Sequence, residues 1–198
     1  SAEEHVLARR FAKKWKLRWY EHGRQGIIHQ FAAEIGFHRP GDIFMYQDSH
    51  TTAGGALNCA AKGMGALEMA YIAAKGETWF LVNECVKFNV SGKLPELVQP
   101  RDIVIYITGE FGDLINKDVE FAGPAIDQMS IDGRQCIATG SVEMNCDFAL
   151  MIANQKVIDY VNARTPFGPF TPAEPDEDAQ YAVTHELDVS DLEPQVAI

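Results

Sequence analysis

Residues 48–50 place three kinds of polar chemistry side by side: the carboxylate of Asp48, the hydroxyl of Ser49 and the imidazole of His50. They follow an apolar, strand-like run at 43–46 and precede a glycine pair at 54–55. Because open α/β sheets carry their sites at strand ends, one interpretation is a functional site. The alternative is that these residues turn the chain and cap the next helix, where Asp, Ser and Thr are preferred. The local pattern leaves both interpretations open.

A second histidine, His29, lies in a predicted helix that begins near residue 27 and has apolar neighbours on both sides. A lone histidine in such a place is more often a buried core residue than a catalytic one, unless a partner is identified. The sequence by itself therefore assigns His29 no role.

The four cysteines are widely scattered and include no CxxC pair; they are Cys59, Cys85, Cys136 and Cys146. Neither a zinc site nor a self-contained iron–sulfur site can be derived from this spacing. Each cysteine is therefore predicted to be a small buried apolar residue.

Composition narrows the class of protein. A chain of 198 residues with 46% hydrophobic residues can form one large domain or two small ones. Its formal charge of −11 repels nucleic acid and anionic membrane surfaces, and an anionic substrate would need a local positive site. Because no apolar run approaches the roughly 18 residues that span a bilayer, and no signal-peptide pattern is present, we expect a soluble, unexported protein in the cytoplasm.

Strand-like and helical patterns alternate along the chain, which predicts an α/β fold with mainly parallel sheets. The predicted strands are 43–46, 85–90, 119–122, 148–152 and 183–189. The predicted helices are 3–16, one beginning near 27, 101–110, 125–129, 133–145, 154–164 and 176–182. Small residues dominate 56–74 and predict close packing, and 166–175 is a proline-rich extended link. A change in composition near Glu84 predicts a boundary between residues 1–84 and 85–198.

Several phrases of the sequence together resemble the aconitase and isopropylmalate dehydratase family, in the family's order and over nearly the whole chain. They are Gly26-Ile27-Ile28-His29-Gln30, Asp48-Ser49-His50-Thr51, Ser91-Gly92-Lys93-Leu94-Pro95, Asp102-Ile103-Val104-Ile105-Tyr106, Glu120-Phe121-Ala122-Gly123, Val142-Glu143 and Asp191-Leu192-Glu193-Pro194-Gln195-Val196. The branch of isopropylmalate dehydratase large subunits and homoaconitases looks closer than mitochondrial-type aconitase.

This resemblance implies aconitase-like three-layer α/β/α domains, with 1–84 the later part of the first domain and 85–198 the second. It also implies a hydro-lyase that moves water across a carbon–carbon double bond of a di- or tricarboxylic acid such as isopropylmalate, homocitrate or citrate. The family uses a four-iron four-sulfur cluster as a Lewis acid. Localisation would be cytoplasmic, or mitochondrial in a eukaryote.

By the same resemblance, His29, Asp48, His50 and Glu143 are expected to be catalytic, with Asp48 orienting His29 and Glu143 orienting His50. A buried carboxylate fixes the tautomer of an imidazole, as acid–base work requires.

The resemblance also implies two substrate-binding residues, Ser49 and Thr139. Ser49 would donate a hydrogen bond to a substrate carboxylate. Thr139 stands where the family usually has asparagine, and this is a departure from the family pattern.

The family's cluster cysteines belong to phrases that are expected beyond Ile198. We therefore expect no metal ligand in this chain, no cluster bound by it alone and no activity of it alone. The implied partners are the remaining large-subunit segments and a small swivelling subunit or domain. The alternative is a catalytically inactive remnant or interaction module that retains the fold, which Thr139 and the missing cysteines favour. An independent metal or hydrolytic site is disfavoured because no HExxH spacing or nucleophile elbow is present.

Overall fold

Helices and strands alternate in the computed structural model, which describes residues 2–21 and 23–197; Ser1, His22 and Ile198 lie outside the described residues. The helices are α1 (Ala2–Trp15), α2 (Ile28–Glu34), α3 (Ala66–Lys75), α4 (Pro100–Phe111), α5 (Pro124–Gln128), α6 (Ile131–Gly140) and α7 (Gln155–Asn162). The strands are β1 (Ile43–Tyr46), β2 (Ala60–Gly63), β3 (Glu84–Ser91), β4 (Lys117–Ala122), β5 (Ala149–Met151) and β6 (Val183–Asp188). Short 3₁₀ helices span Ser49–Leu57 and Ser141–Met144.

All strand pairs of the described residues are parallel, which confirms the predicted α/β class. Strands β1 and β2 form a two-stranded sheet, and the other strands form a four-stranded sheet in the order β5-β4-β3-β6. The two-stranded sheet is formed before residue 84, and the four-stranded sheet begins with β3 at Glu84. The boundary between domains near that residue stays a prediction.

The core of the larger sheet follows from alternation along β3. Val86, Phe88 and Val90 are buried, while the residues between them are less so. These side chains pack with Ile103 and Ile107 of α4 in one hydrophobic cluster. Helix α4 begins as the sequence predicts, with proline at its first turn and a capping box between Gln99 and Asp102.

Helix α1 confirms the predicted helix near 3–16, but its apolar side is mostly exposed. Only Ala12 is buried, whereas Leu7, Phe11 and Trp15 are exposed. An amphipathic pattern thus predicted the helix correctly without indicating what covers its apolar side.

Arg134 of α6 links that helix to the 3₁₀ helix Ser49–Leu57, to α5 and to the residue after β5. It is fully buried and donates hydrogen bonds to the carbonyl oxygens of Ala56 (3.0 Å), Ile152 (2.6 Å) and Ile126 (3.4 Å). Burial lowers the pKa of this guanidinium to about 10, so it stays charged at neutral pH. Because Ala56 belongs to the 3₁₀ helix Ser49–Leu57, Arg134 fixes that helix against α6.

The last part of the chain differs from the prediction. Residues 176–182 form a turn and extended backbone, so the predicted short helix there is wrong. The backbone N–H of Ala182 donates to Cys85 on β3, and the Tyr181 hydroxyl donates to Glu120 on β4. These long-range bonds draw the segment along the sheet before β6 begins.

His38 makes the stability of the fold depend on pH. It is fully buried, with its ring 4.7 Å from that of Phe44, and burial lowers its pKa from 6.5 to about 4, with a smaller contribution from His29. Between these two pH values the unfolded chain binds a proton that the folded chain excludes. We therefore expect the free energy of unfolding to fall by about 3 kcal/mol as the pH drops from 6.5 to 4.

Urea unfolding of the wild type and of His38→Leu at pH 7, 6, 5 and 4 measures this contribution. The difference in unfolding free energy between the two proteins should shift by about 3 kcal/mol in favour of the variant across that range, since leucine cannot be protonated. Parallel pH profiles would contradict the prediction.

Candidate active site

A cavity of about 1490 Å³ is lined by residues of α2, the 3₁₀ helix Ser49–Leu57, α4, α6 and the terminal segment 195–197. Its lining brings together five of the residues singled out in the sequence: His29, Asp48, His50, Thr139 and Glu143. They come from segments that are remote in sequence and meet only in the fold.

Asp48 fills both of the roles that the sequence left open for residues 48–50, the helix cap and a site residue. It is the N-cap of the 3₁₀ helix, where its Oδ1 accepts a hydrogen bond from the backbone N–H of His50 at 2.8 Å. The same oxygen lies 2.9 Å from Nε2 of His29. The carboxylate therefore caps the helix and pairs with an imidazole at the same time.

The pKa of Asp48 is lowered overall. Burial acts to raise it, but the hydrogen bonds from the His50 backbone and from His29, with the charges of both histidines, outweigh burial. An ionised carboxylate only accepts hydrogen bonds, so Nε2 of His29 carries a hydrogen and donates a hydrogen bond to Asp48. The other nitrogen of His29, Nδ1, is buried without a hydrogen-bond partner among the described residues.

His50 is the more accessible imidazole. Its side chain is 44% exposed, against 12% for His29. Its Nδ1 lies 3.5 Å from Asp48 Oδ1, and its Nε2 lies 3.8 Å from Glu143 Oε1, which is longer than a hydrogen bond. His50 thus presents a ring to the cavity between two carboxylates, while Nε2 of His29 faces Asp48 and its Nδ1 is buried.

The two predicted substrate-binding residues lie in different places. Thr139 lines the main cavity from α6. Ser49 lines a second cavity of about 390 Å³ on which Lys62 also lies, and its Oγ is 3.5 Å from His50 Nδ1. Asp48 lines both cavities.

The sequence had not assigned to a site several residues of the cavity wall, among them Arg101, Gln135 and Cys136. Arg101, exposed at the start of α4, belongs to the lining. Gln135 and Cys136 line it from α6. The available signal was the helical period, because Gln135 and Cys136 precede Thr139 by four and three residues and so share its side of the helix.

The residues present do not fit a metal or cluster site. In residues 2–21 and 23–197 no group of three or more His, Cys, Asp or Glu side chains is placed to hold a metal ion. Burial raises the pKa of Cys59, Cys85 and Cys146 to about 12 and also raises that of Cys136, which disfavours the thiolates that a cluster needs. The expectation that this chain alone binds no cluster stays a prediction.

Among residues 2–21 and 23–197, no helix combines the length and the apolar character needed to cross a membrane.

Parallel sheets and an aspartate that joins two histidines on one cavity define an α/β protein with a candidate acid–base site. The sequence profile of the aconitase family (aconitate hydratase) matches residues 2–198, and the chain belongs to this family. The resemblance deduced from the sequence is thereby confirmed.

Three curated relatives illustrate the similarity. The chain is 37% identical to the 3-isopropylmalate dehydratase large subunit 1 of Methanopyrus kandleri, over all of this chain and 47% of that protein. It is 38% identical to the 3-isopropylmalate dehydratase large subunit of Mycolicibacterium smegmatis, over 96% of this chain and 45% of that protein. It is 40% identical to the probable methanogen homoaconitase large subunit of Methanothermobacter thermautotrophicus, over all of this chain and 46% of that protein. The chain thus spans about half the length of the curated relatives it matches.

Proposed function

We propose that this chain supplies one side of the active site of a hydro-lyase, which moves water across a carbon–carbon double bond of a di- or tricarboxylic acid. Isopropylmalate, homocitrate and citrate are the candidate substrates, in keeping with the names of its relatives. The observation that carries the proposal is the contact of Asp48 Oδ1 with both His29 and His50 on one cavity.

Each histidine has a distinct task in this proposal. His50 holds and moves a proton at Nε2, because its imidazole is the more exposed of the two and lies between the carboxylates of Asp48 and Glu143. The hydrogen bond between His29 and Asp48 fixes the position of both side chains. Elimination of water from the substrate, or its addition, needs such a positioned proton carrier next to the carbon that loses or gains hydrogen.

Binding of an acidic substrate needs positive charge and donors on a chain that is itself acidic. Arg101 supplies a guanidinium to the cavity, and Thr139 supplies a hydroxyl from α6. Ser49 is proposed to donate a hydrogen bond to a substrate carboxylate next to His50. Its side chain lines the second cavity.

The complete protein is proposed to carry a four-iron four-sulfur cluster, held by ligands outside this chain. The cluster would supply Lewis-acid chemistry. The cavity exceeds the roughly 300–1,000 Å³ of small-molecule pockets, so there is room for further protein segments beside a substrate. The proposed partners are the remaining large-subunit segments and, because its relatives are called large subunits, a small subunit.

The test is an activity screen of the complete protein on isopropylmalate, homocitrate and citrate, together with iron and sulfide analysis. We expect turnover of one of these acids and about one cluster per protein. A folded, cluster-containing protein that turns over none of them would instead support the inactive remnant.

A second measurement addresses this chain alone. Residues 1–198 are expressed, reconstituted anaerobically with iron and sulfide, and followed by absorption in the visible charge-transfer region. We expect no stoichiometric cluster and no turnover, because the thiols are dispersed and protonated. A stoichiometric cluster with turnover would show that the missing segments are dispensable.

A further inference from the structure

Lys62 and Asp147 form an ion pair on the second cavity, and the proposed chemistry leaves this pair unused. Nζ of Lys62 lies 2.6 Å from Oδ2 of Asp147, and both residues line that cavity. The Lys62 side chain is only 16% exposed, and its ammonium also lies 5.3 Å from the centre of the Phe148 ring. Water therefore screens the charge of this lysine less than it screens a fully exposed ion pair.

One end of the pair is fixed to the segment that carries Asp48 and His50. Lys62 lies on β2 and is followed there by Gly63. A Cβ added at Gly63 would overlap the carbonyl oxygen of Asp48 and lie 3.1 Å from Cα of Ser49. The backbone of β2 thus packs directly on the start of the 3₁₀ helix that carries His50, so a shift of Lys62 is passed on to that helix.

The other end of the pair lies close after Glu143. Asp147 follows the 3₁₀ helix Ser141–Met144, which contains Glu143. Its Oδ2 also accepts a hydrogen bond from Nδ2 of Asn83 at 3.0 Å. Burial acts to raise the pKa of Asp147, but the hydrogen bonds from Lys62 and Asn83 lower it overall. Asp147 is therefore ionised at neutral pH and held at a fixed place beside the larger sheet.

The pair connects the two segments whose candidate catalytic side chains face each other. Nε2 of His50 lies 3.8 Å from Oε1 of Glu143, which is longer than a hydrogen bond. No direct bond between these two side chains fixes their separation, and the interaction of their charges depends on it. What holds the two segments together therefore affects how strongly Glu143 acts on His50.

We propose that Lys62 is a positioning residue. Through its ion pair with Asp147 it holds the 3₁₀ helix that carries His50 against the segment that carries Glu143, and so sets the distance between these two side chains. This inference rests on the proposed function and adds to it a contact that lies on the second cavity.

The experiment is a double-mutant cycle of Lys62→Met and Glu143→Gln in the complete protein, with kcat and KM measured for the acid identified in the activity screen. We expect Lys62→Met to lower kcat about fivefold and to leave KM within about twofold. The double variant should be no more than about twofold slower than Glu143→Gln, because Lys62 then has no carboxylate left to position. Independent roles would multiply the two losses instead.

Two further variants separate positioning from general damage. Lys87→Met is the matched control: Nζ of Lys87 lies 2.8 Å from Glu120 and 4.6 Å from the centre of the Tyr181 ring, but it joins β3 to β4 within one sheet. It should keep kcat within about twofold of the wild type. Asp147→Asn removes the charge at the more exposed end of the pair and should reproduce the kinetics of Lys62→Met, even if that variant folds poorly.

The outcomes distinguish the two proposals. Unchanged kcat in both Lys62→Met and Asp147→Asn, losses that multiply with Glu143→Gln, or an equal loss in Lys87→Met would overturn the role of Lys62 and leave the hydro-lyase intact. A raised KM with unchanged kcat would also overturn it, since it would indicate direct binding of substrate by Lys62. A wild-type protein that turns over none of the candidate acids would overturn the proposed function and this inference with it.

Discussion

Replacing Asp48 by asparagine is expected to lower kcat of the complete enzyme about a thousandfold. The carboxylate oxygen that accepts from both the His50 backbone and His29 places a negative charge 2.9 Å from Nε2 of His29 and 3.5 Å from Nδ1 of His50. Asparagine keeps the size of the side chain and can still cap the 3₁₀ helix, but it removes the charge. Steady-state kinetics with the acid identified in the activity screen measures the effect.

Glu143→Gln is the comparison variant, for which we expect a smaller loss of kcat than for Asp48→Asn. The Glu143 carboxylate is 3.8 Å from His50 and its side chain is 70% exposed, so water screens its charge more than that of Asp48. We expect its loss to lower kcat only about tenfold. If Asp48→Asn retained activity within a factor of three of the wild type, the assignment of Asp48 as the central carboxylate would be wrong.

Gly55→Ala is expected to cost more than about 4 kcal/mol of unfolding free energy. A Cβ added at Gly55 would overlap the carbonyl oxygen of Ala149 on β5 and lie 2.7 Å from its carbonyl carbon. Both partners are backbone, so no side chain can rotate away and the 3₁₀ helix must separate from the sheet. Such a loss is a large part of the 5–15 kcal/mol that stabilises a typical domain, so much of the variant should be unfolded. Urea unfolding followed by circular dichroism measures it.

Gly109→Ala is the matched control, because it makes the same chemical change at a position with free space around the added Cβ. It lies in α4, and an added Cβ meets no atom within 4 Å. We expect it to be neutral or to stabilise the protein by up to about 1 kcal/mol, the helix propensity difference between the two residues. A Gly55→Ala protein as stable as Gly109→Ala would show that the sheet and the 3₁₀ helix can move apart freely.

Local rules were sufficient for most of the secondary structure. Alternation of buried side chains identified β3, and proline with its capping box marked the start of α4. Local rules failed where contacts between residues remote in sequence decide the conformation. Strand β2, built from Ala60–Gly63, was not predicted, because its small residues form a strand only through pairing with β1. The helix predicted at 176–182 is replaced by extended chain that bonds to β3 and β4.

For the candidate site, the sequence determined which residue types stand at 29, 48, 50 and 143, and its ordered phrases determined the family. It could not decide between a helix cap and a functional site at Asp48, and the tertiary structure shows that one oxygen does both. Only the structure decided that the His50 side chain is 44% exposed while that of His29 is 12% exposed. The physical reason is that a periodic pattern reports how each side chain is buried in its own element. Which polar atoms meet, and which stay unpaired, depends on how helices and sheets remote in sequence pack together.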